Sequence, residues 1–165
     1  MIISNINDFL SYYENIRKRT KNVIKCIPEN EFEWRPKEDS FSFGDIIRHI
    51  SNIERFMYAE TILGNQSSYQ GHGQEIVQGY KSTLNYFDDL HKQSMNIFTT
   101  LTETNLQEKC FTPAGIKITI WKWLRSMVEH EIHHRAHIYS NLSMLGIKTP
   151  PLFGLTSEEV KESKN

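Results

Sequence analysis

Apolar residues recur at three- and four-residue steps in four separate stretches of the chain, each bounded by residues that stop a helix. Ile6, Leu10, Tyr13, Ile16, Thr20, Val23 and Ile27 mark the first, over residues 5–27, and Pro28 ends it. Residues 29–40 are polar and carry Pro36, so they read as a loop, with Phe32 and Trp34 tucked against the helices. Ser42 offers an N-cap and Asp45, three positions later, can reach back to it; the second helix is expected over 43–63, with Gly64-Asn65 as its stop. Residues 66–78 contain Gly and Ser, are weakly patterned, and read as a connecting loop. A third helix is expected over 79–101, its stripe formed by Leu84, Phe87, Leu90, His91, Met95 and Phe98. The period then changes. Cys110-Phe111 and Ile116-Lys117-Ile118-Thr119 flank Thr112-Pro113-Ala114-Gly115 and predict a short hairpin. A fourth helix follows over 120–145 and stops at Gly146. In the tail, Leu152, Phe153 and Leu155 are expected to anchor on the surface, and residues 157–165 to fray.

Helices of this kind, each roughly 30–40 Å long, with one apolar stripe apiece, predict an all-α four-helix bundle with a short β-hairpin before the last helix. The expected organisation is one domain over residues 1–165. The long connection between the second and third helices leaves the order of helices around the bundle open.

Composition narrows the setting. Nineteen Lys and Arg against 20 Asp and Glu give a formal charge of −1, which argues against a nucleic-acid partner. No apolar run approaches the roughly 18 residues of a membrane span, and the first ten residues show neither a charged n-region nor an apolar h-region. Two cysteines, Cys26 and Cys110, make a poor disulfide framework. The expected setting is cytoplasmic, without a membrane or nucleic-acid partner.

The histidines change the picture. There are seven, and four lie within Val128-Glu129-His130-Glu131-Ile132-His133-His134-Arg135-Ala136-His137. His130 and His134 are an i,i+4 pair, as are His133 and His137, so spacing alone does not choose between them. Helical phase does. With His130 at zero, Trp123, Met127, Ile138 and Leu145 fall between roughly +20° and +80°, His134 lies near +40° within that arc, and His137 and His133 drift out to about −20° and −60°. His130 and His134 are therefore expected to face the interior, and the other two the rim or solvent. Glu131, near +100°, is expected to be held by Arg135 one turn on.

On the second helix His49 shares a broad apolar face with Ile46, Ile50, Ile53 and Met57. Alone it reads as a satisfied core histidine. Beside an inward pair, three buried imidazoles need a common reason, and a three-ligand metal site with open positions supplies one. Such a site suits Zn²⁺, Ni²⁺, Fe²⁺ or Mn²⁺, and the ligand set does not choose among them. It could activate water for hydrolysis or hold a thiolate for transfer to an electrophile. No general base is evident; Glu60, Tyr58 and Asp45 are candidates with nothing to rank them, and no organic-cofactor motif is present.

Trp34-Arg35-Pro36, Ser42-Phe43-Gly44-Asp45, Ile46-Ile47-Arg48-His49, Trp121-Lys122-Trp123-Leu124, His130-Glu131-Ile132-His133-His134-Arg135 and Pro151-Leu152-Phe153-Gly154 together resemble the DinB/YfiT-like superfamily of bacterial four-helix-bundle metalloproteins. The resemblance covers most of the chain. It implies His49, His130 and His134 as a metal triad, a divalent ion (often nickel or zinc), homodimers, and either metal-dependent hydrolysis or thiol S-transfer with a low-molecular-weight thiol such as bacillithiol or mycothiol. Relatives commonly read His-His-Arg-Gly-Gln where this chain has His133-His134-Arg135-Ala136-His137, so His137 stands in place of an amide. The alternative is a stress-related protein that binds metal or a small ligand without turnover. A zincin reading, with Glu131 as base of His130-Glu131-Ile132-His133-His134, lacks the metzincin Gly at 137 and His at 140. Cys26 and Cys110 read as incidental thiols, Trp121 as an interface residue, and Arg17-Lys18-Arg19 with Lys21 as a solvated face.

Overall fold

The computed structural model describes residues 2–163. Four long helices form the bundle: α1 (Ile6–Ile24), α2 (Phe43–Ile53, continuing without a break through a π-helical turn, Glu54–Ala59, and a last turn, Glu60–Ile62), α3 (Tyr80–Phe98) and, after a short α4 (Glu103–Gln107) and the hairpin, α5 (Ile120–Met144). A six-residue helix α6 (Ser157–Glu162) closes the described chain.

Several boundaries have a local cause. Asn5 caps α1 by accepting from the Asp8 amide. Ser42 and Asp45 form the expected reciprocal capping box on α2. Gly64, with φ 82°, takes the left-handed conformation that ends it. Strand β1 (Lys109–Phe111) pairs antiparallel with β2 (Lys117–Thr119), Cys110 opposite Ile118. Two short helices depart from the sequence-based expectation. Thr102 and Asn105 box the start of α4, and Thr156 and Glu159 box α6, so residues expected to fray are helical through Glu162; residues 164–165 lie outside the described residues. Of the three expected tail anchors, Leu152 packs on the core, while Phe153 and Leu155 stay exposed.

The bundle order is not the simple one. Helix α1 packs chiefly on α5 and also on α3, and α2 packs on α3 and α5, which puts α1 and α2 on a diagonal. The apolar interior falls into two clusters. One gathers Phe9, Tyr13, Ile16, Phe98, Leu106 and Leu124 at one end; the other gathers Val23, Phe43, Ile47, Phe87, Ile138 and Leu142 at the other. Between them every long helix turns a polar residue inward: Arg17 and Thr20 from α1, Ser51, Asn52 and Glu54 from α2, His91 and Ser94 from α3, Glu131, His134 and Arg135 from α5. This polar belt across the middle of the bundle holds the candidate site on one side and a buried ion-pair cluster on the other.

Candidate metal centre

Helix α2 carries His49 two turns from its capped start, and α5 carries His130 and His134 one turn apart. The bundle brings the three together. Their ligand nitrogens lie within 4.8 Å of one another, His49 Nε2 stands 3.1 Å from His130 Nε2, and the ring centroids are 4.5–5.0 Å apart. His134 is buried, and His49 and His130 are half-buried. Burial, reinforced by the neighbouring imidazoles, lowers the pKa of each ring: His49 to about 3, His130 to about 4 and His134 to about 2. All three are therefore neutral bases at physiological pH. His134 Nδ1 is buried without a hydrogen-bond partner. Three uncharged nitrogen donors crowded to one point, one ring carrying an orphaned buried atom, fit a divalent ion of borderline softness, because such an ion takes up lone pairs that no proton donor serves.

The face analysis holds for all four clustered histidines: His133 and His137 are exposed. It did not reach two further residues. Tyr69 and His72 come from the connection between α2 and α3, whose side chains have no helical period to read. Tyr69 Oη lies 2.8 Å from His49 Nδ1 and 3.2 Å from His72 Nδ1. With His49 Nδ1–H donating to Tyr69 and the Tyr69 hydroxyl donating to His72 Nδ1, both contacts are served and the lone pair of His49 is left on Nε2, toward the other two rings. The only sequence signal was a histidine between Gly71 and Gly73.

The loop is held by one stripe of α2. The Arg48 guanidinium donates to the His72 carbonyl at 2.8 Å, Asn52 Nδ2 donates to the Gly71 carbonyl at 2.7 Å, and the Phe56 carbonyl accepts from the Ser68 amide at 2.9 Å and the Ser67 hydroxyl at 3.0 Å. Phe56 lies in the π-helical turn, where a carbonyl is free to receive the loop. Phe41 closes the outer side, its ring 4.1 Å from His72, 5.5 Å from His49 and stacked at 6.4 Å on His134. A cavity of about 480 Å³ reaches His134 between Pro36, Phe41, Ile46 and Met144, with His137 and Asn141 in its wall.

The three candidate bases are otherwise engaged. Asp45 completes the cap and pairs with Arg48 at 2.8 Å; Glu60 is bonded to Arg55 and Asn65. Tyr58 lies near His130, ring centroids 6.3 Å apart, but its hydroxyl meets Ser126 at 3.3 Å, and burial raises its pKa. Glu131 turns away from the triad. Its carboxylate is 3.0 Å from Arg17, not on Arg135, which donates instead to the Ile16 carbonyl. That corrects two expectations together: Arg17 is buried rather than part of a solvated basic face, and Glu131 pairs with Arg17 rather than Arg135. The disfavoured zincin reading finds no base in Glu131 either. Burial raises the thiols of Cys26 and Cys110, as expected of incidental cysteines. Trp121 packs partly on the core, with Lys122 and Arg125 each 5.6 Å from its ring. Among the described residues no helix is long and apolar enough to cross a membrane.

The DinB superfamily model matches residues 12–138. The uncharacterised YjoA protein of Bacillus subtilis is 26% identical over 151 residues, 89% of this chain and 95% of YjoA. Among solved structures, YjoA superposes with a TM-score of 0.71 at 20% identity, covering 90% of this chain and 99% of that one. A DinB-like protein from Bacillus cereus gives 0.71 at 14% identity, covering 90% and 97%. YfiT of B. subtilis, described as a probable metal-dependent hydrolase with an unusual four-helix bundle topology, gives 0.65 at 15% identity, covering 87% and 89%.

Proposed function

Because this chain belongs to the DinB superfamily, we propose that it is a metal-dependent enzyme in which His49, His130 and His134 hold one divalent ion and hydrolyse a small, largely apolar substrate. The observation that carries this reading is the convergence of three neutral imidazoles, one of which, His134, has an unpartnered buried nitrogen and lines a cavity. The description of YfiT as a probable metal-dependent hydrolase agrees with it.

When bound, a divalent ion supplies Lewis acidity, polarising a carbonyl and acidifying a water or thiol at its open positions. The chain supplies the rest. His130 and His134 present their rings from one rigid helix. Tyr69 and His72 fix the tautomer of His49 so that Nε2 faces the ion. Phe41 shields the rings from solvent, and the apolar wall of Pro36, Ile46 and Met144 admits a substrate whose body is hydrophobic.

The test is a screen of the Zn²⁺- and Ni²⁺-loaded protein against simple esters and amides, and separately against a low-molecular-weight thiol with a model electrophile. Hydrolysis that needs no thiol, and that is lost in His134→Ala, supports the proposal. Turnover only in the presence of thiol replaces hydrolysis with thiol S-transfer. Absence of turnover in both arms by a fully loaded protein contradicts an enzymatic role and leaves a binding protein.

A further inference from the structure

Helix α5 carries a second histidine pair that the triad does not use. His133 and His137 repeat the i,i+4 spacing of His130 and His134, and the geometry repeats too. Their ring centroids are 4.3 Å apart with an interplanar angle of 67°, against 4.5 Å and 63° for the inner pair. Both belong to one uninterrupted helix of 25 residues, so the backbone of neither pair needs ordering before it can chelate. The pairs differ in what completes them. His49 faces the inner pair from α2, whereas the outer pair looks to solvent. The two are contiguous: the His134 ring is 5.1 Å from that of His133 and 5.2 Å from that of His137. His137 also lines the cavity that ends on His134.

We propose that His133 and His137 form a second, outer metal site, a two-imidazole chelate for a borderline divalent ion such as Zn²⁺, Ni²⁺ or Cu²⁺, at the rim of the cavity leading to the triad. Two imidazole nitrogens one helical turn apart can share one ion, and water completes the coordination on the exposed side. With two protein ligands instead of three and no enclosing wall, this site binds more weakly and exchanges faster than the triad. The inference does not depend on the triad holding a metal, because the two sites share no ligand.

Titration of metal-free protein with Zn²⁺ at pH 7.5, followed calorimetrically with a chelator competition for the tight class, tests it. Wild type is expected to bind one equivalent tightly and a second at least tenfold more weakly. The double variant His133→Ala/His137→Ala, altered only at exposed positions, is expected to lose the weaker equivalent and keep the tight one. His130→Ala is expected to do the reverse. A wild-type titration with no weaker equivalent, or a double variant that retains it, overturns the outer site. Loss of the tight class alone, with the weaker one still abolished by the double variant, would refute the triad and leave the outer site standing.

Discussion

Two polar clusters sit side by side in the middle of the bundle, and His130 and Glu131, consecutive on α5, belong one to each. On the Glu131 side the groups are charged and answer one another. Arg17 lies between Glu54, to which it is bonded, and Glu131 at 3.0 Å. His91 Nδ1 donates to Glu54 at 2.8 Å, and Tyr13, fully buried, touches Arg17 through its hydroxyl at 3.0 Å. Burial alone would depress the Arg17 pKa, but the two carboxylates outweigh it and the net shift is upward. On the His130 side the groups are less deeply buried and uncharged, and the three rings face one another. The ion-pair cluster sets opposite charges against one another, and Arg17 Nε and Nη1, His91 Nε2 and both Glu131 oxygens are left there without hydrogen bonds; the histidine cluster holds only neutral nitrogen donors and no counter-charge. Neither burial of polar groups nor an unpartnered buried atom is therefore the mark of function here. The mark is the convergence of neutral nitrogen donors on one point.

This contrast predicts different failures. The largest effect belongs to the charged cluster. Arg17→Met leaves two buried carboxylates uncompensated and should cost about 3–5 kcal/mol of unfolding free energy in urea. A variant that unfolds with unchanged midpoint would show that the cluster is not structural. The triad should behave oppositely. His49→Ala, His130→Ala and His134→Ala should weaken Zn²⁺ or Ni²⁺ binding by more than about 100-fold, beyond the loss expected for an outer-sphere partner, while the metal-free protein keeps most of its stability. Tyr69→Phe comes next. It removes the hydroxyl that orients His49, so metal affinity should fall about 10- to 100-fold with little change in metal-free stability; an unchanged affinity would reduce Tyr69 to packing.

A separate test is the pH dependence of the metal-free protein. The three triad histidines titrate well below their unfolded value near 6.5, so the unfolded chain binds more protons as pH falls through 6.5. Each ring therefore disfavours the fold increasingly from about pH 6.5 down toward its own folded pKa. Stability should drop between pH 7 and 5, and the drop should be shallower in a His49→Leu/His130→Leu/His134→Leu variant. Equal slopes would mean that the rings do not sense their burial.

Much of this arrangement was legible in the sequence, and the division follows from range. Helical period and caps are local, so Ser42 with Asp45, Gly64, the hairpin around Gly115 and the inward phase of His130 and His134 could be read directly. His49 could be added because an inward pair demanded a third donor. The partner of Glu131 could not. Arg135 at i+4 satisfied the local rule, while the actual partner, Arg17, lies on another helix, and its place directly before Lys18 and Arg19 resembles a surface run. The non-simple helix order that brings Arg17 there is likewise a tertiary outcome. Tyr69 and His72 ride on a loop whose shape is dictated by Arg48, Asn52 and the carbonyl of Phe56, and no period encodes that. Helix α4 was legible in principle, since Thr102 followed by Asn105 is a capping signal, but its five residues were too short to show a stripe.

The account rests on one ion held jointly by residues 49, 130 and 134, and the most direct measurement is the metal content of protein purified without added metal, compared with its three single alanine variants. The account predicts about one tightly held divalent ion per wild-type chain and a strong loss in each of His49→Ala, His130→Ala and His134→Ala. The same tight occupancy in all three variants would contradict it.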